Sequence, residues 1–433
     1  MFDQSLINPL LIGDELYESL KSIPKYDESI CHKDKSARLV ALSDIYSIYL
    51  PSKMSEEIYS KLYLSLIRSM NKKCSINAIK QSNENYKAIR QISFQGILGG
   101  ADSYTIIGCS GIGKTSAISR AVKLISDEPY FECCDSKIIP VLSVQCPFDS
   151  SVKGLSLEIL RKIDAVLQTK YYSNAIRSHA TVDVLIGIIS QVALNHIGVI
   201  IIDEIQNCAV SKNGKVFIHS LTQLINDSGV SICLVGTPEC TSFFQQKMQL
   251  ARRSLGLYYQ PLEYNDYFAE LCETVFHYQY TQQKNVLSDG IIEWLYEHSG
   301  GLVSMIISLI HDSQELAILS GKEKIDIETL NEAFVKRNTM LHSFLKPGFK
   351  VLPKTSTIPK KNRQPILEYK DSTIEKLDSN VDLYTEKNNT FVIEGLSIIE
   401  VVEQCKLNSF NVVEVLKQYF VVEEIGVEGC KKC

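Results

Sequence analysis

No uninterrupted apolar run in the 433-residue sequence reaches the length a bilayer-spanning helix needs, and no positively charged leader followed by an apolar stretch opens the chain. A cytoplasmic protein is the expectation. Charge of one sign is also lacking: 45 Lys and Arg stand against 50 Asp and Glu, a formal net charge of −5. That balance excludes neither nucleic acid nor protein as a partner, because basic groups can be confined to one face or one pore. Paired C-x-x-C motifs are absent too. The 13 cysteines are odd in number and scattered, and Cys109, Cys146 and Cys233 fall in apparent strands or in a glycine-rich loop. Reduced thiols acting as small apolar residues explain them. Cys133 and Cys134 are adjacent, and Cys430 and Cys433 make a lone terminal C-x-x-C. Without a second ligand pair that motif is a weak sign of zinc. The apolar fraction of 45% and charged fraction of 22% are ordinary for a globular protein, and the length implies two or three domains.

What is present centres on Gly108-Cys109-Ser110-Gly111-Ile112-Gly113-Lys114-Thr115, between the strand-like run Tyr104 to Ile107 and a helix expected over Ser116 to Ile125. Glycines at both ends let the backbone fold around an anion with its N–H groups inward, and the following helix adds the positive end of its dipole. Gly108 to Ser116 are therefore the expected ATP-binding residues, with Lys114 on the β- and γ-phosphates and Thr115 offering its hydroxyl to Mg²⁺. Downstream, Gly198-Val199-Ile200-Ile201-Ile202-Asp203-Glu204 is a continuous apolar run ending in two carboxylates, as a parallel strand covered on both faces requires. Asp203 suits the Walker-B role at Mg²⁺, and Glu204 the general base that polarises the attacking water. The bland alternative is a core strand ending in exposed acids.

Around these two motifs, short apolar runs alternate with amphipathic stretches, as an α/β fold with a parallel sheet demands. Strands are expected over Pro140 to Gln145 and Val230 to Gly236, and helices over Lys153 to Gln168, Thr181 to Leu194 and Val216 to Asn226. The second of these strands runs into Thr237-Pro238, where Thr237 serves equally as a polar sensor for the γ-phosphate or attacking water and as a helix N-cap before proline. Arg252 and Arg253 follow a helix-like stretch from Thr241 to Leu250. An arginine there suits a finger reaching a neighbouring subunit's nucleotide, though a solvated helix end reads the same way.

The outer segments divide by pattern. Residues 1–91 form an expected N-terminal helical extension, including a helix beginning near Ser55, and the basic Lys72, Lys73, Lys80, Lys87 and Arg90 at its end read first as a solvated face, with a nucleic-acid contact as the alternative. Residues 92–263 form the α/β core. Residues 264–345 are wholly helical, with helices expected over Asp266 to Tyr278, Ser288 to His298, Leu302 to Ser320 and Ile327 to Arg337, and read as a lid. Residues 346–390 make a basic, proline-rich linker, and residues 391–433, a flexible C-terminal tail, regain apolar periodicity that suits either a small helical appendage or partner binding.

A phosphate loop, a Walker-B Asp-Glu, a polar strand end, trailing arginines and a helical lid, in that order, resemble the AAA+ P-loop ATPase layout. The strings Asp203-Glu204-Ile205-Gln206-Asn207, Gly108-Cys109-Ser110-Gly111, Gly236-Thr237-Pro238-Glu239 and Cys146-Pro147-Phe148-Asp149-Ser150-Ser151-Val152-Lys153-Gly154-Leu155 together resemble the TnsC/TniB family of transposition regulators, over roughly Ser36 to Leu345. The resemblance implies an ATP- and Mg²⁺-dependent homo-oligomer, a ring or helical filament on double-stranded DNA. It would link a target-selection protein of the TniQ/TnsD type to transposase subunits. ATP would lie between subunits, with Lys114, Thr115, Asp203 and Glu204 on one side and Arg252 or Arg253 from the next. Lys153, then Lys212 and Lys215, would meet DNA phosphates, a solvated lysine being the alternative for each. The terminal segment would meet the transposase. There is one departure: Gly300-Gly301-Leu302-Val303-Ser304 stands where many AAA+ proteins carry a sensor-2 arginine, and slow hydrolysis is the expectation drawn from it. A second class stays open, a signalling-type scaffold that oligomerises on ATP and never touches DNA.

Overall fold

The computed structural model describes residues 2–74, 103–133, 136–207, 214–228, 230–241 and 256–337, all within the first of two compact units, Met1–Pro353 and Lys354–Cys433. In chain order the helices and strands are α1 (Gly13–Leu20), α2 (Lys35–Ala41), α3 (Lys53–Lys73), β1 (Ser103–Gly108), α4 (Lys114–Ile125), β2 (Phe131–Cys133) and β3 (Ser136–Gln145). There follow α5 (Val152–Leu167), α6 (Tyr171–Arg177), α7 (Val182–His196), β4 (Ile197–Asp203), α8 (Gly214–Ser228), β5 (Ser231–Gly236) and β6 (Leu257–Tyr259). The lid helices are α9 (Asp266–Phe276), α10 (Asp289–Ser299), α11 (Val303–Ser320) and α12 (Ile327–Arg337).

The sheet has the order β2-β3-β4-β5-β1-β6, parallel throughout except for the short antiparallel edge strand β2. The phosphate-loop strand β1 and the Walker-B strand β4 are not neighbours. Both pair with β5, with Ile107 opposite Gly236 and Ile202 opposite Leu234, so all three strand ends reach one edge of the sheet. Every residue of β4 before Asp203 is buried, because helices cover both faces. Ile200, Ile202, Ile232 and Leu234 pack with α5, α7 and α8, while Val199, Ile201, Cys233 and Val235 pack with α3 and α4.

The N-terminal helices serve two cores. Leu16 and Leu20 of α1 and Ile58, Leu62 and Leu66 of α3 join the sheet, whereas Ala41, Leu42, Ile45, Ile48 and Leu50 join α9, α10 and α11 in the lid core. Helix α3 starts slightly before the expected Ser55: Ser52 is the N-cap and Ser55 the N3 partner of a capping box. Strand β3 also starts earlier, which places Pro140 inside it. Strand β2 pairs only as far as Ile138, so Pro140 sits on an open edge where no ladder bond needs its missing N–H.

Lys73, at the end of α3, donates to the carbonyls of Ala193, at 2.7 Å, and Ile197, at the seam where α7 turns directly into β4. Burial pulls its pKa down from 10.5 to about 7. With the folded value below the unfolded one, the cost of burying the charge is full below pH 7 and is relieved as pH rises toward 10.5. The stability difference between the parent and Lys73→Met should therefore move in the parent's favour between pH 7 and 9, by up to about 1.4 kcal/mol per pH unit. Thermal unfolding across that range checks it, and a pH-independent difference would mean that Lys73 stays charged in the fold.

Among the described residues no single helix is long and apolar enough to cross a membrane. The segments Thr241 to Leu250, 346–390 and 391–433 lie wholly or almost wholly outside the described residues, as does the terminal C-x-x-C.

Candidate active site

The loop after β1 turns through Gly111 at φ +85° and Gly113 at φ +97°, the latter at the N-cap of α4. Only glycine holds those angles without strain. A Cβ on Gly111 would also strike the Ser304 hydroxyl, because the Ser304 N–H donates to the Gly111 carbonyl at 3.0 Å and seats the start of α11 on the loop. Lys114 folds across the loop and donates to the carbonyls of Gly108 (2.6 Å) and Cys109 (2.9 Å). Burial lowers its pKa, while the nearby Asp203 carboxylate opposes that shift. Ile112 is buried, whereas Ser110, Gly111, Gly113, Lys114, Thr115 and Ser116 line an open cleft of about 360 Å³.

Across this cleft the Thr115 hydroxyl donates to Asp203 Oδ2 at 3.3 Å. A hydroxyl and a carboxylate side by side at the first turn of α4 are a hard, all-oxygen pair, which fits Mg²⁺ better than a softer ion. Glu204 follows at φ +59°, a left-handed conformation that costs a non-glycine residue roughly 1–2 kcal/mol. Its N–H donates to Asp203 Oδ1 at 2.8 Å, and its carboxylate accepts from the Gln206 side chain. Thr237, at the end of β5, lines the same cleft. It occupies the N-cap position of a short 3₁₀ turn, yet its hydroxyl donates to Glu239 at 3.2 Å and makes no capping bond.

Lys114, Thr115, Asp203, Glu204 and Thr237 thus converge. Arg252, Arg253 and Lys212 lie outside the described residues, and of Lys215 only the backbone is described, in the first turn of α8. Lys153 is exposed in the first turn of α5, well apart from the phosphate loop's own cations in sequence. The turn that carries it is braced to the Walker-B strand end: Cys146 N–H donates to the Asp203 carbonyl (2.8 Å), Asn207 Nδ2 to the Cys146 carbonyl (3.0 Å), and Ser150 Oγ to the Asn207 carbonyl (3.2 Å). At the lid, Val303, Ser304, Ile307 and Ser308 face the cleft, and among the described residues no arginine lines it.

Two features escaped sequence reasoning. Gln206 appears in the motif string but carried no expected role. A second cleft of about 1160 Å³ adjoins the first and shares Gly113, Thr115 and Ser116 with it; its walls include Ile48, Tyr49, Pro51, Met54, Tyr259 and Tyr267. The Arg120 guanidinium lies 4.3 Å from the Tyr49 ring centroid in that wall.

A phosphate loop and a Walker-B strand separated by β5, under an all-helical lid, define an ATPase of the AAA+ class. Residues 100–259 match the family model for the bacterial TniB protein. No curated protein matches the chain. Similar solved structures include the Aeropyrum pernix ORC2 protein in ADPNP-ADP complexes, at 16% identity over 60% of this chain and 68% of that one, with a TM-score of 0.38. Drosophila ORC bound to DNA gives 12% identity over 76% and 70%, TM-score 0.43, and domain III of Thermotoga maritima DnaA gives 13% over 60% and 94%, TM-score 0.33.

Proposed function

We propose that this ATPase binds and hydrolyses ATP as part of a homo-oligomer on double-stranded DNA, and that its nucleotide state controls assembly. The observation that carries this reading is the convergence of Lys114, Thr115, Asp203, Glu204 and Thr237 on one cleft at the edge of the sheet. Arg252 or Arg253 of a neighbouring copy completes it in this reading, and ATP then joins two subunits of a ring or filament. Gly108 to Ser116 hold the phosphates, and the adjoining aromatic cleft takes the base and ribose. Thr115 and Asp203 hold Mg²⁺, which neutralises charge on the phosphates when bound. Glu204 takes the proton of the attacking water. The uncharged lid face supports slow turnover.

DNA is held through its phosphates by Lys153, Lys212 and Lys215. The bracing of the Lys153 turn on Asn207 gives the nucleotide site a physical route to that surface. Residues 1–91, 92–263, 264–345, 346–390 and 391–433 remain the working division of the chain, with the last segment meeting transposase subunits, a TniQ/TnsD-type selector bound elsewhere on the assembly, and the whole acting in the cytoplasm.

Fluorescence anisotropy of a labelled duplex, with and without a non-hydrolysable ATP analogue, tests the reading. Binding should require the analogue, be indifferent to sequence, and weaken log-linearly with salt. No binding even at low salt, together with ATP-dependent oligomers, would transfer the protein to the signalling-scaffold class.

A further inference from the structure

We infer that Gln206 is a positioning residue: its side-chain amide ties the Glu204 carboxylate to the end of the sensor strand β5 and fixes where that carboxylate points. The inference rests on the reading of Glu204 as the base.

The geometry leaves the amide one orientation. Ile205 is fully buried, and its N–H donates to the Val235 carbonyl at 3.0 Å, so the turn after β4 is fastened to β5. From there Gln206 reaches across to the next strand, where the Thr237 N–H donates to Gln206 Oε1 at 3.3 Å. A backbone N–H only donates, so the amide oxygen must face it. Gln206 Nε2 then faces Glu204, whose ionised carboxylate only accepts. Flipping the amide would set donor against donor and oxygen against oxygen. Gly236 is shaped for this crossing: a Cβ there would lie 2.7 Å from Ile205 Cγ2 and 3.0 Å from Gln206 Oε1. Sheet edge, glycine and amide together form one bridge between the two strand ends that meet the cleft.

Two consequences follow. The Glu204 side chain is exposed and would otherwise sample several rotamers, and a misplacement of about 1 Å at a reacting group can cost on the order of 10²-fold in rate. In addition, any shift of Thr237 toward a bound phosphate or water is passed to Glu204 through a single amide. The bridge thereby links recognition of nucleotide at the sensor strand to alignment of the base.

Two near-isosteric variants separate this role from simple packing. Gln206→Glu keeps an acceptor for the Thr237 N–H but turns an oxygen on the Glu204 carboxylate, and Gln206→Met keeps the length with neither bond. Both should bind ATP with a Kd within about two-fold of the parent and lose on the order of 10²-fold in kcat. Each should add little to the loss already produced by Glu204→Gln, because the bridge acts through that carboxylate. A Gln206→Glu protein with parental kcat, beside an inactive Glu204→Gln protein, would overturn this inference alone. So would losses that multiply fully in the double variant. Parental turnover by Glu204→Gln would instead bring down the base assignment, and the inference with it.

Discussion

Glu204→Gln should leave ATP binding intact and lower turnover by on the order of 10²- to 10⁴-fold, the range that a positioned general base supplies. The substitution is close to isosteric, and glutamine tolerates the left-handed backbone at this position no worse than glutamate. The new amide can present its oxygen to Gln206 Nε2 and so keep the bridge to Thr237. The change removes a proton acceptor and leaves the phosphate loop, Thr115 and Asp203 in place. On the proposed reading the ATP-bound assembly then outlives the parent's, since hydrolysis no longer ends it. Single-turnover phosphate release, paired with equilibrium binding of a fluorescent ATP analogue, reads the two effects separately. Turnover at the parental rate would reject the base assignment, and loss of nucleotide binding would assign Glu204 to the phosphate cradle instead.

The legible parts of this fold were those whose physics is local. The continuous apolar run before Asp203 announces a strand buried on both faces, and β4 runs from Ile197 to Asp203 with its hydrophobic residues fully buried. The glycine spacing of the phosphate loop reflects backbone angles that few other residues adopt, and Gly111 and Gly113 both have positive φ. Lid helices ended within about two residues of their periodicity, because caps such as Asn265, which accepts from the Phe268 N–H, and turns such as Gly300-Gly301 are written in side-chain chemistry. Long-range features were not legible. Strands β2 and β6 have three residues each and exist only because a neighbour offers an edge. Pro140 could enter β3 only because β2 stops short of it. Nothing in the helical periodicity of the first 74 residues says that α1 and α3 cover the sheet while Ala41 to Leu50 join the lid. The bridging geometry of Gln206 had no local signature either, since it depends on a partner 31 positions away at Thr237.

The largest expected effect on stability belongs to Arg38. Its side chain is 1% exposed, and it grips Glu323 with both terminal nitrogens, at 2.5 and 2.9 Å. The pair ties α2 to the turn between α11 and α12, where Glu323 sits at φ +57° and also accepts from the Gln282 N–H at 3.4 Å. Arg38→Ala would leave the buried Glu323 carboxylate without its cation, and breaking a buried pair in this way costs about 3–5 kcal/mol. In the parent, Arg38 holds the Glu323 pKa below the usual carboxylate range. The pair's contribution is therefore present above the unfolded glutamate pKa and fades as pH falls through the lower folded value. In the variant the carboxylate instead gains by taking up a proton, so the deficit should be largest at pH 7 and shrink toward pH 4. Urea unfolding at both pH values reads this directly. Replacing both partners with methionine should recover most of the loss, because packing then substitutes for an ion pair whose desolvation was costly. A deficit below about 1 kcal/mol for Arg38→Ala at pH 7 would mean that the lid is held to the N-terminal segment by the apolar core around Leu42 and Ile45, with the ion pair contributing alignment alone.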